Sequence, residues 1–188
     1  GTDNVALGDT ALDSVESGSQ YNVAIGHAAG TALTTGDQNV AVGAFALDAQ
    51  TTASSNTALG YAAMSTNTDG TYNVGVGLLA LGLNTTGDSN TAVGYGSLDA
   101  NTTADNNTAV GYESLSANTT GAQNVAVGRT ALRANTTADN NTAIGDSALN
   151  VSTTGSDNTA VGKNSLLSNT TGGSNVAIGY AALDAAVD

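Results

Sequence analysis

The sequence contains no Cys, no Pro and no Trp, and only one Phe, one His and one Met. Without Cys there can be no disulfide and no thiolate metal site, and cysteine usage gives no reading of redox compartment. His27, the single histidine, has nothing to pair with as nucleophile or base and reads as an exposed variable position. Positive charge is just as scarce: 3 Lys+Arg stand against 16 Asp+Glu, a formal charge of −13. Neutralising a phosphate backbone takes Lys and Arg, so nucleic acid is not an expected partner. An anionic membrane surface would repel the chain. No apolar run approaches the roughly 20 residues needed to span a bilayer, so membrane insertion is not expected. With no signal peptide and no initiating Met, the chain reads as a mature product or an excised piece of something longer.

What is present is a repeat. A block reading Asn, Val/Thr, Ala, Val/Ile/Leu, Gly starts at Asn4, Asn22, Asn39, Asn56, Asn73, Asn90, Asn107, Asn124, Asn141, Asn158 and Asn175. Every interval is 17 residues except the first, which is 18 because of one extra residue before Asn22. Eleven copies fill residues 1–188, so a single repeat domain is expected. A short fixed period of this kind indicates a solenoid or array. Gly, Ser, Thr and Asn-rich chains are often disordered, but here the apolar residues are too strictly placed for that.

The second column is always β-branched and the fourth is Val, Ile or Leu, with Ala or Gly75 between them. β-Branched residues suit a pleated strand, and a Gly in every copy rules out a continuous helix. The expected class is therefore all-β: a parallel β-solenoid or β-roll of about eleven 17-residue coils. Alternation puts the second and fourth side chains on one face and the third on the other. The reading is that Val110 and its equivalents enter the core with Leu115 and its equivalents. Ala109 with Gly111 would form a small-residue face approached closely by another chain. Segments such as Asn84-Thr-Thr-Gly87 and Asn118-Thr-Thr-Gly121 read as turns.

An isolated coil cannot fold, because ordering 17 residues at roughly 1–2 kcal/mol each exceeds what one buried Val and one buried Leu return. Stacking must supply the rest. Asn22, Asn39, Asn56, Asn73, Asn90, Asn107, Asn124, Asn141 and Asn158 are expected to form an amide ladder, side chain to side chain. The glycine column Gly26, Gly43, Gly60, Gly77, Gly94, Gly111, Gly128, Gly145 and Gly162 is expected to be structural too.

No catalytic constellation is found, so no enzyme is expected. Asp37, Asp88, Asp105 and Asp139 share a column and make calcium worth weighing, but the column lapses at Ser54, Thr71, Ala122, Ser156 and Gly173. It also lacks the Gly-Gly-x-Gly-x-Asp pattern of calcium-binding rolls, so solvated acidic turns are expected and no cofactor. Tyr61, Tyr95, Tyr112 and Tyr180 share one variable column and are candidate surface contacts to a glycan or protein receptor. The Thr column from Thr34 to Thr170 raises ice binding as a minor alternative. Eight Asn-x-Ser/Thr sequons, at Asn84, Asn101, Asn106, Asn118, Asn135, Asn140, Asn150 and Asn169, are possible glycan acceptors that the repeat composition would mostly generate by itself.

With these columns in hand, the pattern resembles the head repeats of trimeric autotransporter adhesins, through Asn22-Val-Ala-Ile-Gly26, Asn39-Val-Ala-Val-Gly43 and Asn175-Val-Ala-Ile-Gly179. The longer unit, with Ala/Ser-Leu and Asn-Thr-Thr-Gly, is similar to repeats of phage tail-fibre-like and bacterial surface proteins. The resemblance covers essentially the whole chain. It implies a left-handed roll, three chains about one axis, and a place outside a cell or on a virion. The expected function is a non-enzymatic structural or adhesive rod segment of an extracellular attachment fibre. The alternative is a filament subunit that polymerises end to end through incomplete terminal coils.

Overall fold

The computed structural model describes residues 3–185 and contains eleven strands and, among those residues, no helix. Each strand covers the second to fourth residues of one repeat, from β1 (Val5–Leu7) and β2 (Val23–Ile25) to β11 (Val176–Ile178). All pair in parallel and in sequence order, β1 to β11, as one sheet. The register is column on column: between β7 (Thr108–Val110) and β8 (Val125–Val127), Thr108 faces Val125 and Ala109 faces Ala126. The chain is a parallel β-solenoid with one strand per 17-residue coil, as the period predicts. The extra residue of the first interval is absorbed before β2, so Val5 still pairs with Val23.

Only three residues per coil are strand, yet backbone hydrogen bonds join coils all round the section. Gly111 N–H donates to Val93 O, Leu115 N–H to Ala131 O, Thr119 N–H to Thr136 O and Gln123 N–H to Asp105 O. Buried backbone groups are thus satisfied by the neighbouring coil.

The facing of the strand is the reverse of the expectation. Ala24, Ala58, Ala92, Ala109, Ala126, Ala143 and Ala160 are fully buried. The flanking columns point outward: Ile25 is 37% exposed, Leu59 46% and Ile144 40%. The reason is the thinness of the coil. Leu47, Leu81, Leu98, Leu115, Leu132, Leu149 and Leu166 fill the interior from the opposite wall, leaving room only for a methyl group on the strand side. Coil four shows how tight this is. Met64 stands in the Leu column there, and the facing residue in the next strand is Gly75, whose Cβ would lie 2.8 Å from Met64 Cγ. Coil two carries Ala29-Gly30 instead of Ala-Leu, and a void of about 10 Å³ is left there, lined by Leu12, Gly30, Leu33 and Leu47 among others.

Besides the corner glycine, three positions per coil adopt left-handed backbone, all non-glycine except Gly30 in coil two and Gly96 in coil six. In the seventh coil and its end these are Glu113 (φ 48), Leu115 (φ 52) and Gln123 (φ 59). For an L-residue this conformation costs roughly 1–2 kcal/mol, and inter-coil hydrogen bonds hold it in place. Nothing in the residue types at these columns announces it.

Candidate functional surface

The Asn column lies inside the coil. Asn22 and Asn39 are almost fully buried, and Asn56, Asn73, Asn90, Asn107, Asn124, Asn141 and Asn158 are completely so. Each Oδ1 accepts the backbone N–H of the next Asn: Asn39 to Asn22 at 2.9 Å, Asn107 to Asn90 at 2.9 Å, Asn124 to Asn107 at 3.0 Å. Each Nδ2 donates to a carbonyl that closes its own coil, as Asn107 does to Gly121 O at 2.9 Å. Direct amide-to-amide bonds are secondary, for example Asn124 to Asn107 at 3.2 Å. The ladder therefore ties side chain to backbone, where a side-chain-to-side-chain ladder was expected.

The side-chain ladder sits elsewhere, in the Asn that opens each supposed turn. Asn84 donates to Asn67 Oδ1 at 2.7 Å, Asn101 to Asn84 at 2.8 Å, Asn118 to Asn101 at 3.1 Å and Asn135 to Asn118 at 2.8 Å. Each also donates to the carbonyl three residues on, as Asn118 does to Gly121 O at 2.9 Å. The signal was available in the sequence: this column reads Gln50, Asn67, Asn84, Asn101, Asn118, Asn135, Ser152, Asn169 and admits only small polar side chains from the third coil on. These burials also dispose of five glycan acceptors. Asn84, Asn101, Asn118 and Asn135 have no exposed surface and Asn169 almost none, whereas Asn106 and Asn140 are exposed.

The second ladder breaks once. Ser152 is too short to continue it, and both Asn135 Oδ1 and Ser152 Oγ are buried without a hydrogen-bond partner. Orphaned buried polar atoms cost about 1–3 kcal/mol. Ser152→Asn restores the rung, and the expected gain is about 1–2 kcal/mol of unfolding free energy, read from urea denaturation. An unchanged or lowered midpoint would show that the gap is relaxed in some other way.

The glycine column forms a sharp corner after each strand. Gly26, Gly43, Gly60, Gly77, Gly94, Gly128, Gly145 and Gly162 have φ between 129° and 144°, and Gly111 has φ 135°. A Cβ on Gly111 would lie 2.5 Å from Gly128 O. The close approach expected at these glycines is thus to the next coil of the same chain, not to a second chain.

Beyond the corner, Tyr61, Tyr95, Tyr112 and Tyr180 are 55%, 47%, 50% and 76% exposed. Tyr95 and Tyr112 stack with centroids 5.2 Å apart and planes 12° apart, while Tyr61 meets Phe45 edge-on at 5.8 Å, and Phe45 meets His27 edge-on at 5.2 Å. The stacked Tyr faces are turned toward each other along the rod, so ring edges and hydroxyls form the surface. Beside them a polar recess of about 190 Å³ is lined by Leu79, Tyr95, Gly96, Asp99, Glu113, Ser116 and Arg133. Arg133 pairs with Glu113 at 3.1 Å. Burial pushes the Asp99 carboxyl up, and the Glu113 side chain beside Tyr112 raises its hydroxyl. On the next coils Arg129 grips Asp146 with two bonds of 2.9 and 3.2 Å, which lowers the Asp146 carboxyl.

The acidic column has its own structural use. Asp37 accepts from Gln20 N–H at 2.7 Å, Asp88 from Thr71 N–H at 2.6 Å, Asp105 from Asp88 N–H at 2.7 Å and Asp139 from Ala122 N–H at 2.7 Å. Among the described residues no group of three His, Cys, Asp or Glu side chains is placed to hold a metal. The Thr column is committed as well: Thr34, Thr85 and Thr119 donate their hydroxyls to the carbonyls of Thr51, Thr102 and Thr136 at 3.1, 2.9 and 3.0 Å.

The remaining surface is the outward face of the sheet. It carries the second and fourth columns of all eleven strands and no charged residue. At about 4.8 Å per strand it runs roughly 50 Å. No family model matches this chain, and no curated protein or solved structure matches it. Among the described residues no helix is long and apolar enough to cross a membrane.

Proposed function

We propose that the chain is a non-enzymatic rod segment of an extracellular attachment fibre, in which three copies pack side by side through the outward sheet face. The observation that carries this reading is that face. It is uncharged over eleven strands in a chain of net charge −13; it exposes Ile25, Leu59 and Ile144 and leaves the Val residues of the same column, such as Val110, half-buried. At roughly 10 Å wide it offers about 500 Å² per chain, at the upper end of what a monomer leaves exposed and enough to contribute most of a standard protein interface. The choice of three chains, and the attachment role, come from the resemblance of the repeats to adhesin heads. The packing face is not the Ala column, which is buried within the coil, nor the Gly corners, which close on the next coil of the same chain, but the Val, Ile and Leu columns. Tyr95, Tyr112 and the recess beside them are the surface this rod would offer to a receptor or glycan.

Light scattering on the purified chain tests the assembly. The expected mass is three chains, rising to full occupancy with salt as repulsion between acidic surfaces is screened. Val110→Glu in the outward face is expected to give folded monomers. A compact monomer of the unsubstituted chain, or open-ended growth, overturns the reading. Attachment is tested by retention of the labelled rod on glycan and matrix-protein arrays, and a rod retained by none is a spacer only.

A further inference from the structure

The outward face is aliphatic throughout its fourth column, always Val, Ile or Leu, but its second column alternates between an apolar and a hydroxyl side chain. Counting coils from the first, the second column reads Val5, Val23 and Val40, then Thr57, Val74, Thr91, Thr108, Val125, Thr142, Thr159 and Val176. All eleven side chains leave the same side of one sheet, layer above layer, at about 4.8 Å spacing. Inside the coil nothing requires this pattern, because the side chains of this column point away from the core. Six of the eleven coils take Val and five take Thr with the same strand, register and neighbours.

We infer that the Thr and Val layers set the register and polarity of side-by-side packing between copies of this chain. The inference rests on the association proposed above. When copies lie parallel and level, every layer meets its own kind: hydroxyls meet hydroxyls, which donate and accept among themselves, and methyls meet methyls. A uniform column would gain nothing from this, since any stagger would match equally well. The observed column penalises stagger. Sliding one copy by one coil sets Thr against Val in six of the ten overlapping layers. Turning one copy antiparallel does so in eight of eleven. Each such layer leaves a hydroxyl facing methyls with no partner, which is unfavourable in a surface that excludes water. The device parallels the polar core positions that select register in coiled coils. The pattern also names its own weakest point. A slide of three coils mismatches only two of eight layers, because Thr91, Thr108, Thr142 and Thr159 then overlay largely on Thr. That register loses three layers of contact instead.

Because the chain has no Cys, single cysteines report register directly. Three full-length variants, Val110→Cys, Val127→Cys and Val161→Cys, alter only the fourth column, at coils that all carry Val there, and leave the Thr and Val layers of the second untouched. They are mixed in pairs, one partner tagged, refolded together and oxidised. Disulfides demand Cβ atoms within about 4.5 Å, so a one-layer stagger is distinguishable. Level parallel packing is expected to give Val110→Cys pairs bonded to themselves at least tenfold over bonds to Val127→Cys. The Val110→Cys to Val161→Cys product is expected to exceed the latter. Equal homotypic and heterotypic yields overturn the inference. In the second arm Thr57, Thr91, Thr108, Thr142 and Thr159 are all changed to Val, the residue that six coils already carry. This variant is expected to keep its oligomeric mass while heterotypic products rise to within about threefold of homotypic ones. Retained exclusive homotypic bonding would assign the register to something other than the Thr layers. A monomeric unsubstituted chain would sink the association itself and is seen in the mass before any cross-linking.

Discussion

Replacing Gly111 by Val abolishes the cooperative unfolding of the intact rod. Two independent obstacles meet at this residue. Its φ of 135° belongs to a region that only glycine enters freely, which costs roughly 1–3 kcal/mol for another residue. A Cβ would also stand 2.5 Å from Gly128 O and 2.7 Å from Gly128 C, both backbone atoms of the next coil. Backbone cannot swing aside as a side-chain tip can, and relieving such overpacking costs about 1–3 kcal/mol more. Moving coil eight away from coil seven breaks hydrogen bonds such as Thr108 N–H to Asn124 O and Gly128 N–H to Val110 O. In a solenoid each coil is held only by its neighbours, so the rod divides into a piece of seven coils and a piece of four.

The expected result is a circular dichroism melt that starts far lower and loses its single transition, with protease cutting near residues 111–128. Gly96→Asn is the control. Gly96 has φ 56°, which Asn tolerates, and the nearest atom to an added Cβ is Glu113 Cγ at 3.8 Å. That variant should melt close to the unsubstituted protein. If Gly111→Val also does, the corner can be built without glycine.

The architecture was legible because its cause is periodic. A 17-residue repeat with Asn and Gly at invariant places admits few shapes other than stacked coils, and β-branched residues between them select strand. The facing was not legible. Alternation shows that Thr108 and Val110 share a side and Ala109 takes the other, but not which side is inside. Size settles it, and only when both walls are considered together: Leu115 from the far wall takes the volume, so Ala109 is what fits opposite. Val110 is the more hydrophobic residue, yet its bulk has no room inside and stays on the outer side. The second ladder was hidden by residue type. Asn-Thr-Thr-Gly is turn vocabulary, and turns are usually at the surface, yet Asn118 is completely buried. The left-handed positions at Glu113, Leu115 and Gln123 carry no residue preference that would reveal them. They are imposed by neighbouring coils, a tertiary effect repeated ten times.

Asn107→Asp should be the more informative of the ladder substitutions, because it changes one donor to a charge and leaves the shape alone. Asn107 Oδ1 accepts Asn124 N–H at 3.0 Å, a bond a carboxylate keeps. Asn107 Nδ2 donates to Gly121 O at 2.9 Å, and a carboxylate oxygen there faces a carbonyl oxygen with no proton between them. The site has no exposed surface, and no Lys or Arg reaches it. An uncompensated buried charge costs about 3–5 kcal/mol, so a loss of that order is expected at pH 7. The sign with pH follows from where the proton is bound more tightly. Burial raises the folded-state pKa of the new carboxyl above its unfolded value of about 3.9. Stability is therefore recovered as pH falls through the raised folded pKa, with recovery complete below the unfolded one, where the protonated carboxyl can donate to Gly121 O. Asn107→Leu supplies the contrast. It orphans Asn124 N–H, while Gly121 O retains Asn118 Nδ2 at 2.9 Å, and its loss of about 1–3 kcal/mol should not depend on pH. Urea unfolding of both variants between pH 7 and pH 3, each referred to the unsubstituted chain, separates the two. Parallel pH profiles would mean that residue 107 is reached by water and that the first ladder does not lie in a dry core.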